Sequence, residues 1–392
     1  MIPKTQTARC DVVVVGGGIL GLCVADLMTQ RGRLVTLVER STLATAASGN
    51  TLRIVHGGFR YLQSLDISRL RESRREQNWF LDRFNESIRP IPCVLPLDGR
   101  RLRVPLIARW AARLNSVLAR RLSDEKRVPS PSVMSRSEIA SEFGLEISPS
   151  HGLVWYDAVI ADYQQIIADL ASAIRNRGGD ILEHTQLIGL ATPRSAATSN
   201  VNACLECKDA DSITIECEDV IICVGADNAE AARNCGFDLR RDSPITAFNV
   251  VFNVAPQMRC AFAIPTERQT YFAVPRGDRV VIGTSYLHSG EEPTTADIQE
   301  VCRELQEVSN VADVPWQLTV DNVCDVDWAR IAADGKSPAK SSRIIQQRVG
   351  PRGRVTFAIT PKFTVARSVA QRIVDQVESQ RSAKCSSSMA VR

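Results

Sequence analysis

The chain is 392 residues long, 44% hydrophobic and 23% charged, with a formal net charge of +4. That length holds one large domain or two interleaved ones with a sizeable core, and the composition is that of a folded globular chain. The charge is too small for this length to argue for nucleic-acid binding, and no apolar run is long enough to span a bilayer.

Met1–Arg9 is polar and lacks a signal-peptide core, so a cytoplasmic location is expected. An apolar run, Val12–Val15, then leads into Gly16-Gly17-Gly18-Ile19-Leu20-Gly21. An amphipathic segment carrying Leu22, Ala25, Leu27 and Met28 follows, and a second apolar run, Leu34–Val38, ends at Glu39. This reads as strand, glycine turn, helix, strand. Gly16, Gly18 and Gly21 fill the G-x-G-x-x-G pattern, with Glu39 at the expected distance beyond. The first glycine permits the tight turn, the second lets backbone approach a pyrophosphate, and the third lets helix pack on strand. The pyrophosphate would sit on the positive helix N-terminus. Glu39 can accept from a ribose and would repel a 2′-phosphate, which favours FAD or NAD over NADP. An ordinary glycine turn in a parallel sheet is the alternative.

Ser41–Asn50 is small and polar, and Ser48, Gly49, Asn50 and Thr51 suit a loop facing a cofactor. In Ile54–Leu62, paired glycines beside His56 and Arg60 suggest close backbone approach to a ligand. From composition alone His56 also fits a loop histidine that only bonds backbone. Ile67–Phe84 reads as a helix with a solvated charged face, ended by Pro90, Pro92 and Pro96 at a domain crossing. Gly99–Leu122 has seven arginines and no acid. Leu106, Ile107, Trp110, Leu114, Val117 and Leu118 recur there at helical spacing, with Arg109, Arg113 and Arg120 on another side. Two arrangements fit: a helix resting on an anionic membrane surface, or one packed on the core with an exposed basic face.

Arg127–Ser137 reads as loop, and Asp157–Arg177 as a helix closed by Gly178-Gly179. Strands are expected around Ile181–Leu187, Val201–Cys207 and Ile213–Cys217. Cys204 and Cys207 form a lone C-x-x-C on a strand, where the thiols would face opposite ways. The 12 cysteines are scattered, read as reduced thiols, and suggest no metal. Asp219–Asp227 looks like a buried strand of the first sheet, ending in Gly225 before a helix. Ile245–Val254, Thr270–Val274 and Val280–Thr284 are antiparallel candidates, the last two joined by the turn Pro275-Arg276-Gly277-Asp278. Thr294–Ser309 reads as helix, Val320–Ile345 as polar and irregular, Val355–Ile359 as strand and Thr364–Glu378 as helix.

Together these pieces resemble the FAD-dependent glycerol-3-phosphate dehydrogenase family, within the D-amino-acid-oxidase-like flavoproteins, from Asp11 to about Val377. His56-Gly57-Gly58-Phe59-Arg60-Tyr61-Leu62 resembles the family's H-G-G-x-R-Y-L, and Lys362–Arg367 is similar to its K-L-T-T-Y-R. The Val224-Gly225-Ala226 turn matches as well, and Ile282-Gly283-Thr284-Ser285 resembles I-G-T-T. The resemblance implies an α/β fold: a Rossmann-like FAD-binding domain with an inserted antiparallel-sheet substrate domain. The expected division is 1–92, 150–240 and 340–381 for the first, 93–149 and 241–339 for the second, and a disordered tail at 382–392. It implies oxidation of a secondary alcohol by hydride transfer to flavin N5, with a quinone or O2 as electron acceptor. The cofactor-binding set is then Gly16, Gly18, Gly21, Glu39, Arg40, Ser48, Thr51, Gly57, Gly58, Leu187, Gly225, Lys362, Phe363 and Thr364. The catalytic set is His56, Arg60, Arg330 and Lys362, with Arg60, Arg330, Arg343 and Lys362 around a substrate phosphate. Guanidinium forks and an ammonium suit a dianion, and the imidazole of His56 suits the role of a base.

The family's paired glycines before the lysine are here Thr360-Pro361, the acid after I-G-T-T is Tyr286, and the helical C-terminal domain of many members has no counterpart. Two other functions stay open on the residues: oxidation of another 2-hydroxy acid or amino acid, and flavin binding without turnover.

Overall fold

A strand buried on both faces needs an unbroken apolar run rather than an alternating one, and Val12–Val15 meets that demand. In the computed structural model it lies within a six-stranded sheet, and all four valines are buried. The order is Arg343–Val349, Gly353–Ile359, Asp219–Ile222, Val12–Val15, Val35–Val38, Asp180–Leu182. Only the Arg343–Val349 edge is antiparallel to its neighbour. Residues 6–99, 103–122, 128–191, 200–208, 212–239, 243–312, 318–349 and 353–389 are described, and the chain divides into two compact units.

The first unit comprises 1–49, 164–245 and 330–392. The helix Ile19–Gln30 buries Leu22, Val24, Ala25 and Met28, and packs beside the last helix, Ala366–Met389. A four-stranded sheet, Gln6–Arg9, Ile213–Cys217, Val201–Cys207 and Thr185–Ala191, adds its own apolar face to this core. Beneath the parallel sheet Arg354 grips Asp219 with two hydrogen bonds of 2.6 and 2.8 Å, at 5% and 1% side-chain exposure. Arg381 of the last helix reaches the same carboxylate at 3.3 Å.

The second unit comprises 50–163 and 246–329. Its sheet runs in the order Val323–Ile331, Ile245–Phe252, Arg279–Leu287, Thr270–Arg276, Ala261–Pro265, Ile88–Pro96, His151–Ile160, Ile54–Val55, with Ser132–Ser135 also paired to His151–Ile160. Phe248, Phe252, Phe262 and Ile282 fill one side. Arg276 pairs with Arg279, so the hairpin turns on Gly277-Asp278, with Gly277 at φ +62°.

Several expectations are corrected by strand pairing. The boundary expected at 92/93 cuts through the single strand Ile88–Pro96, and residues 50–92 and 150–163 join the second unit because their strands hydrogen-bond into its sheet. Pro90, Pro92 and Pro96 lie inside that strand rather than at a crossing. Their alternate spacing puts the missing N–H groups on one edge, which Ala261–Pro265 meets only at Cys93 and Val94. Asp157 begins no helix: it lies in the strand His151–Ile160, opposite Ile91, and the helix is Tyr163–Asn176. Val320–Ile345 is largely ordered into strands. Ile181–Leu187 splits between two sheets. Within the stretch read as loop, Arg136 and Ser137 begin the helix Arg136–Phe143, started by a Ser135–Glu138 capping box. The helix Ala366–Met389 continues through the expected tail from Ser382, and residues 390–392 lie outside the described set, as do Arg127 and the side chains of Val117, Leu118 and Arg120.

Asp219→Ala leaves a desolvated guanidinium without its fork partner, so it is expected to destabilise the protein by about 3–5 kcal/mol. Urea midpoints measure this, and a loss below ~1 kcal/mol contradicts it.

Candidate active site

In the first unit the glycine turn is shaped by two different demands. Gly16 has φ +102°, and a Cβ there would meet the Cys223 carbonyl at 2.7 Å. A Cβ on Gly21 would collide with the Gly16 carbonyl. Both are required by the protein's own packing. Gly18 is different: a Cβ would meet only the Ser48 hydroxyl, at 3.1 Å. A glycine there leaves room for the close approach of a pyrophosphate. Ser48 Oγ accepts from the Ile19 amide at 3.0 Å, at the helix N-terminus. Glu39 accepts from the Gly17 amide (2.6 Å) and the Ser41 amide (2.9 Å) with different oxygens, each keeping a lone pair for a ribose hydroxyl. These residues fit the adenosine diphosphate half of FAD.

Other expected residues of this unit fall in two groups. Gly225, at φ +59°, follows the strand Asp219–Ile222, and its carbonyl accepts from Asn228 Nδ2, which also reaches the Ala358 carbonyl. Asn228 thus ties two strand ends at the carboxyl edge, where open α/β sheets take ligands. Lys362 is exposed and precedes the short helix Phe363–Val365, in which Thr364 is buried. Leu187, by contrast, is core. Arg40 and Arg330 share the Asp227 carboxylate at 2.8 and 3.2 Å, and Arg343 lies 3.4 Å from Asp334 and donates to the Ala333 carbonyl. Arg330 and Arg343 therefore already hold carboxylates.

In the second unit His56 follows the strand Ile54–Val55, and its Nδ1 lies 2.9 Å from Asp157 Oδ2. Asp157 is only 3% exposed. It also accepts from the Gly57 amide at 2.8 Å and the Trp155 indole at 3.3 Å, and the Cys93 thiol points at it from 3.8 Å. Burial alone would raise the carboxyl, but the His56 charge and the hydrogen bonds from His56, Gly57 and Trp155 outweigh it and hold Asp157 below its ordinary range. The His56 ring stands edge-on to Phe272 at 5.8 Å, and Phe59 stacks on Trp155 at 5.6 Å. Gly57 and Gly58 are pressed by the helix Ile67–Arg83: a Cβ would meet Gln77 Oε1 at 2.5 Å and Ser73 Cβ at 2.9 Å. Arg60 is exposed on the turn that follows, within electrostatic reach of Tyr286.

Sequence reasoning missed Asp157, because it was read as helix, and missed the Arg53–Arg276 neighbourhood. Arg53 has φ +57°, lies over the Tyr163 ring at 5.7 Å, and its buried Nε has no partner among the described residues. Arg276 bonds Asp327 at 2.7 Å and the Thr51 carbonyl at 2.9 Å. The apolar run ending Trp-Tyr-Asp-Ala-Val-Ile was the available strand signal.

The profile of the FAD dependent oxidoreductase family (DAO) matches residues 11–337. A glycerol-3-phosphate dehydrogenase of Synechocystis is 23% identical over 306 residues, 72% of this chain and 53% of that protein. The chain thus spans about half the length of this curated relative. The FAD complex of a glycerol-3-phosphate dehydrogenase from Bacillus halodurans superposes with a TM-score of 0.69 at 16% identity, over 95% of this chain and 65% of that one. Glycine oxidase from Geobacillus kaustophilus gives 0.66 at 14%, covering 95% of both. At such identities the two structures establish a shared fold.

Gly18→Val is expected to fold yet emerge without FAD, while Gly21→Ala also loses thermal stability; a yellow Gly18→Val protein contradicts this. Asp157 has a depressed carboxyl, so its stabilising contribution is complete above the ordinary carboxylate range and disappears as pH falls through its folded value. Asp157→Asn should therefore lose less stability than wild type between about pH 5 and 3. Parallel urea midpoints against pH for the two proteins would contradict that.

Proposed function

The chain belongs to the FAD dependent oxidoreductase family, and on that premise we propose that it oxidises the secondary alcohol of sn-glycerol 3-phosphate, or of a similar anionic alcohol, to the ketone. The observation that carries the reading is the His56–Asp157 pair with Arg60 four residues further on. Asp157 accepts from Nδ1–H and so selects the tautomer whose lone pair is on Nε2. His56 takes the hydroxyl proton through Nε2 as the alcohol is oxidised, and the buried carboxylate stabilises the imidazolium that results. Bound FAD supplies the acceptor for the hydride. Phe272 stands edge-on to the imidazole and Phe59 stacks on Trp155, so apolar rings flank the dyad. Arg60 holds the substrate anion, a role that suits a guanidinium fork. The relatives named glycerol-3-phosphate dehydrogenase support this substrate.

One observation favours a second reading. Arg330 and Arg343 are engaged with Asp227 and Asp334, which leaves less positive charge for a dianion. A 2-hydroxy acid or amino acid, carrying one carboxylate, needs fewer guanidiniums. Tyr286 in place of an acid accords with a changed substrate. Electrons then pass to a quinone or to O2.

Anaerobic mixing of the yellow protein with glycerol 3-phosphate, lactate, 2-hydroxyglutarate and amino acids decides the class, since only a substrate bleaches the flavin. Bleaching by none of them rejects both readings. With the substrate in hand, His56→Ala is expected to slow flavin reduction about 10²-fold or more with affinity nearly kept. Arg60→Ala should weaken binding about tenfold or more. Near-normal reduction in His56→Ala would remove it from the role of base.

A further inference from the structure

Arg53, in the second unit, is a half-buried cation with no counter-charge bonded to it. Its Nε is buried, and among the described residues its guanidinium makes no hydrogen bond or ion pair. Asp327 and Asp162 lie within electrostatic reach, but neither touches it. The guanidinium lies over the Tyr163 ring, 5.7 Å from its centroid, which covers a face of the fork and leaves its N–H edge. The backbone is held at φ +57°, in the left-handed region. The Thr51 hydroxyl accepts from its amide at 3.1 Å, and the Ile160 amide donates to its carbonyl at 2.8 Å. A side-chain-bearing residue adopts that conformation at a cost, and such residues cluster at ligand clamps. Arg276 meets the same threonine: Nη2 donates to the Thr51 carbonyl at 2.9 Å, and Nη1 to Asp327 at 2.7 Å. Burial, and after it the Arg276 charge, push Arg53 down from its ordinary value. A cation so placed destabilises the fold unless something offsets it.

We propose that Arg53 and Arg276 form an oxyanion-binding site in the second unit that takes a phosphate group. Charge points to an anion: two guanidiniums meet at Thr51, and Asp327 is the carboxylate bonded there, on Arg276 alone. Geometry points to phosphate. Its oxygens offer acceptors on several sides, so two forks arriving from different segments can share it, whereas a planar carboxylate suits a single fork. Free phosphate and the phosphate group of a larger molecule share this chemistry. The site is separate from the anion role given to Arg60. Arg276 ends the strand Thr270–Arg276, four residues beyond Phe272, the ring that stands edge-on to His56. Along a strand that is roughly 13 Å. The proposal does not depend on which alcohol is oxidised.

The test titrates the FAD-loaded full chain by calorimetry with inorganic phosphate, phenyl phosphate and acetate at constant ionic strength. Arg60→Ala is the background, so that phosphate does not report on the substrate anion proposed above. Phosphate is expected to bind in that background, and acetate about tenfold more weakly or less well still. Adding Arg53→Gln should weaken phosphate about tenfold or more, the size of a lost charged hydrogen bond. Arg276→Gln should do at least as much, since it also leaves Asp327 facing the anion. Arg53→Lys keeps the charge without the fork and should recover only part. Thermal midpoints separate a ligand site from a structural arginine. Without phosphate, Arg53→Gln should melt at or above wild type, because an unmatched cation is gone; with phosphate, only the wild type should gain. Phenyl phosphate binding as tightly as phosphate supports a group carried by a larger ligand, and phosphate binding alone supports the free ion. No phosphate binding in the Arg60→Ala background overturns the proposal, as does unchanged affinity in Arg53→Gln, equal binding of acetate, or a lower phosphate-free midpoint in Arg53→Gln. Flavin lost from Arg53→Gln, with no phosphate bound by wild-type holoprotein, overturns it in favour of a cofactor contact.

Discussion

A carboxylate taken out of water must have its lone pairs met, and Asp157 sets the geometry around His56 for that reason. Its position comes from the ladder in which it lies opposite Ile91. Its hydrogen bonds then orient three things at once: the imidazole plane, the Gly57 backbone and the Trp155 indole, on which Phe59 stacks. The two glycines follow from the same constraint, since the loop can reach the carboxylate only by running hard against Gln77 and Ser73. A histidine on a loop becomes a held histidine because a strand beneath it carries a charge.

The first unit distributes its charges by a different logic. Arg40 and Arg330, far apart in sequence, converge on Asp227, and Arg343 turns to Asp334. An arginine near a flavoenzyme motif is a candidate for a substrate anion, yet a carboxylate within reach competes for the same fork. An arginine reaches a substrate only where no such carboxylate holds it, which makes Arg60 the stronger choice. Among the glycines, Gly16 and Gly21 are demanded by neighbouring carbonyls, whereas at Gly18 a Cβ would meet only the Ser48 hydroxyl.

The basic helix joins surface and site physically. Asn115, on its inward side, holds Arg74. Burial pushes the Arg74 guanidinium down from its ordinary value, and the Asp157 charge pulls it back up. The inward side of the helix thus offers Ala108 and Ala112 to an apolar cluster and Asn115 to a part-buried cation, and the large apolar residues are left outside.

The glycine fingerprint, the parallel strands around it and the acid at Glu39 were legible in the sequence, because close backbone approach restricts which residues can stand there and because strands buried on both faces must be apolar throughout. The H-G-G-x-R-Y-L segment likewise pointed to His56 and Arg60 before any contact was known. Asp157 was not legible as a partner: nothing local marks which residue a strand presents to a loop 101 residues away in the chain. Pro90 and Pro92 read as breakers until the ladder showed which edge needs no N–H. Pro105–Leu122 was legible as amphipathic, but periodicity states only that two faces differ. Which face meets the protein depends on what the neighbours offer: here Ala108 and Ala112 join an apolar cluster and Asn115 meets the part-buried Arg74, contacts present only in the tertiary structure.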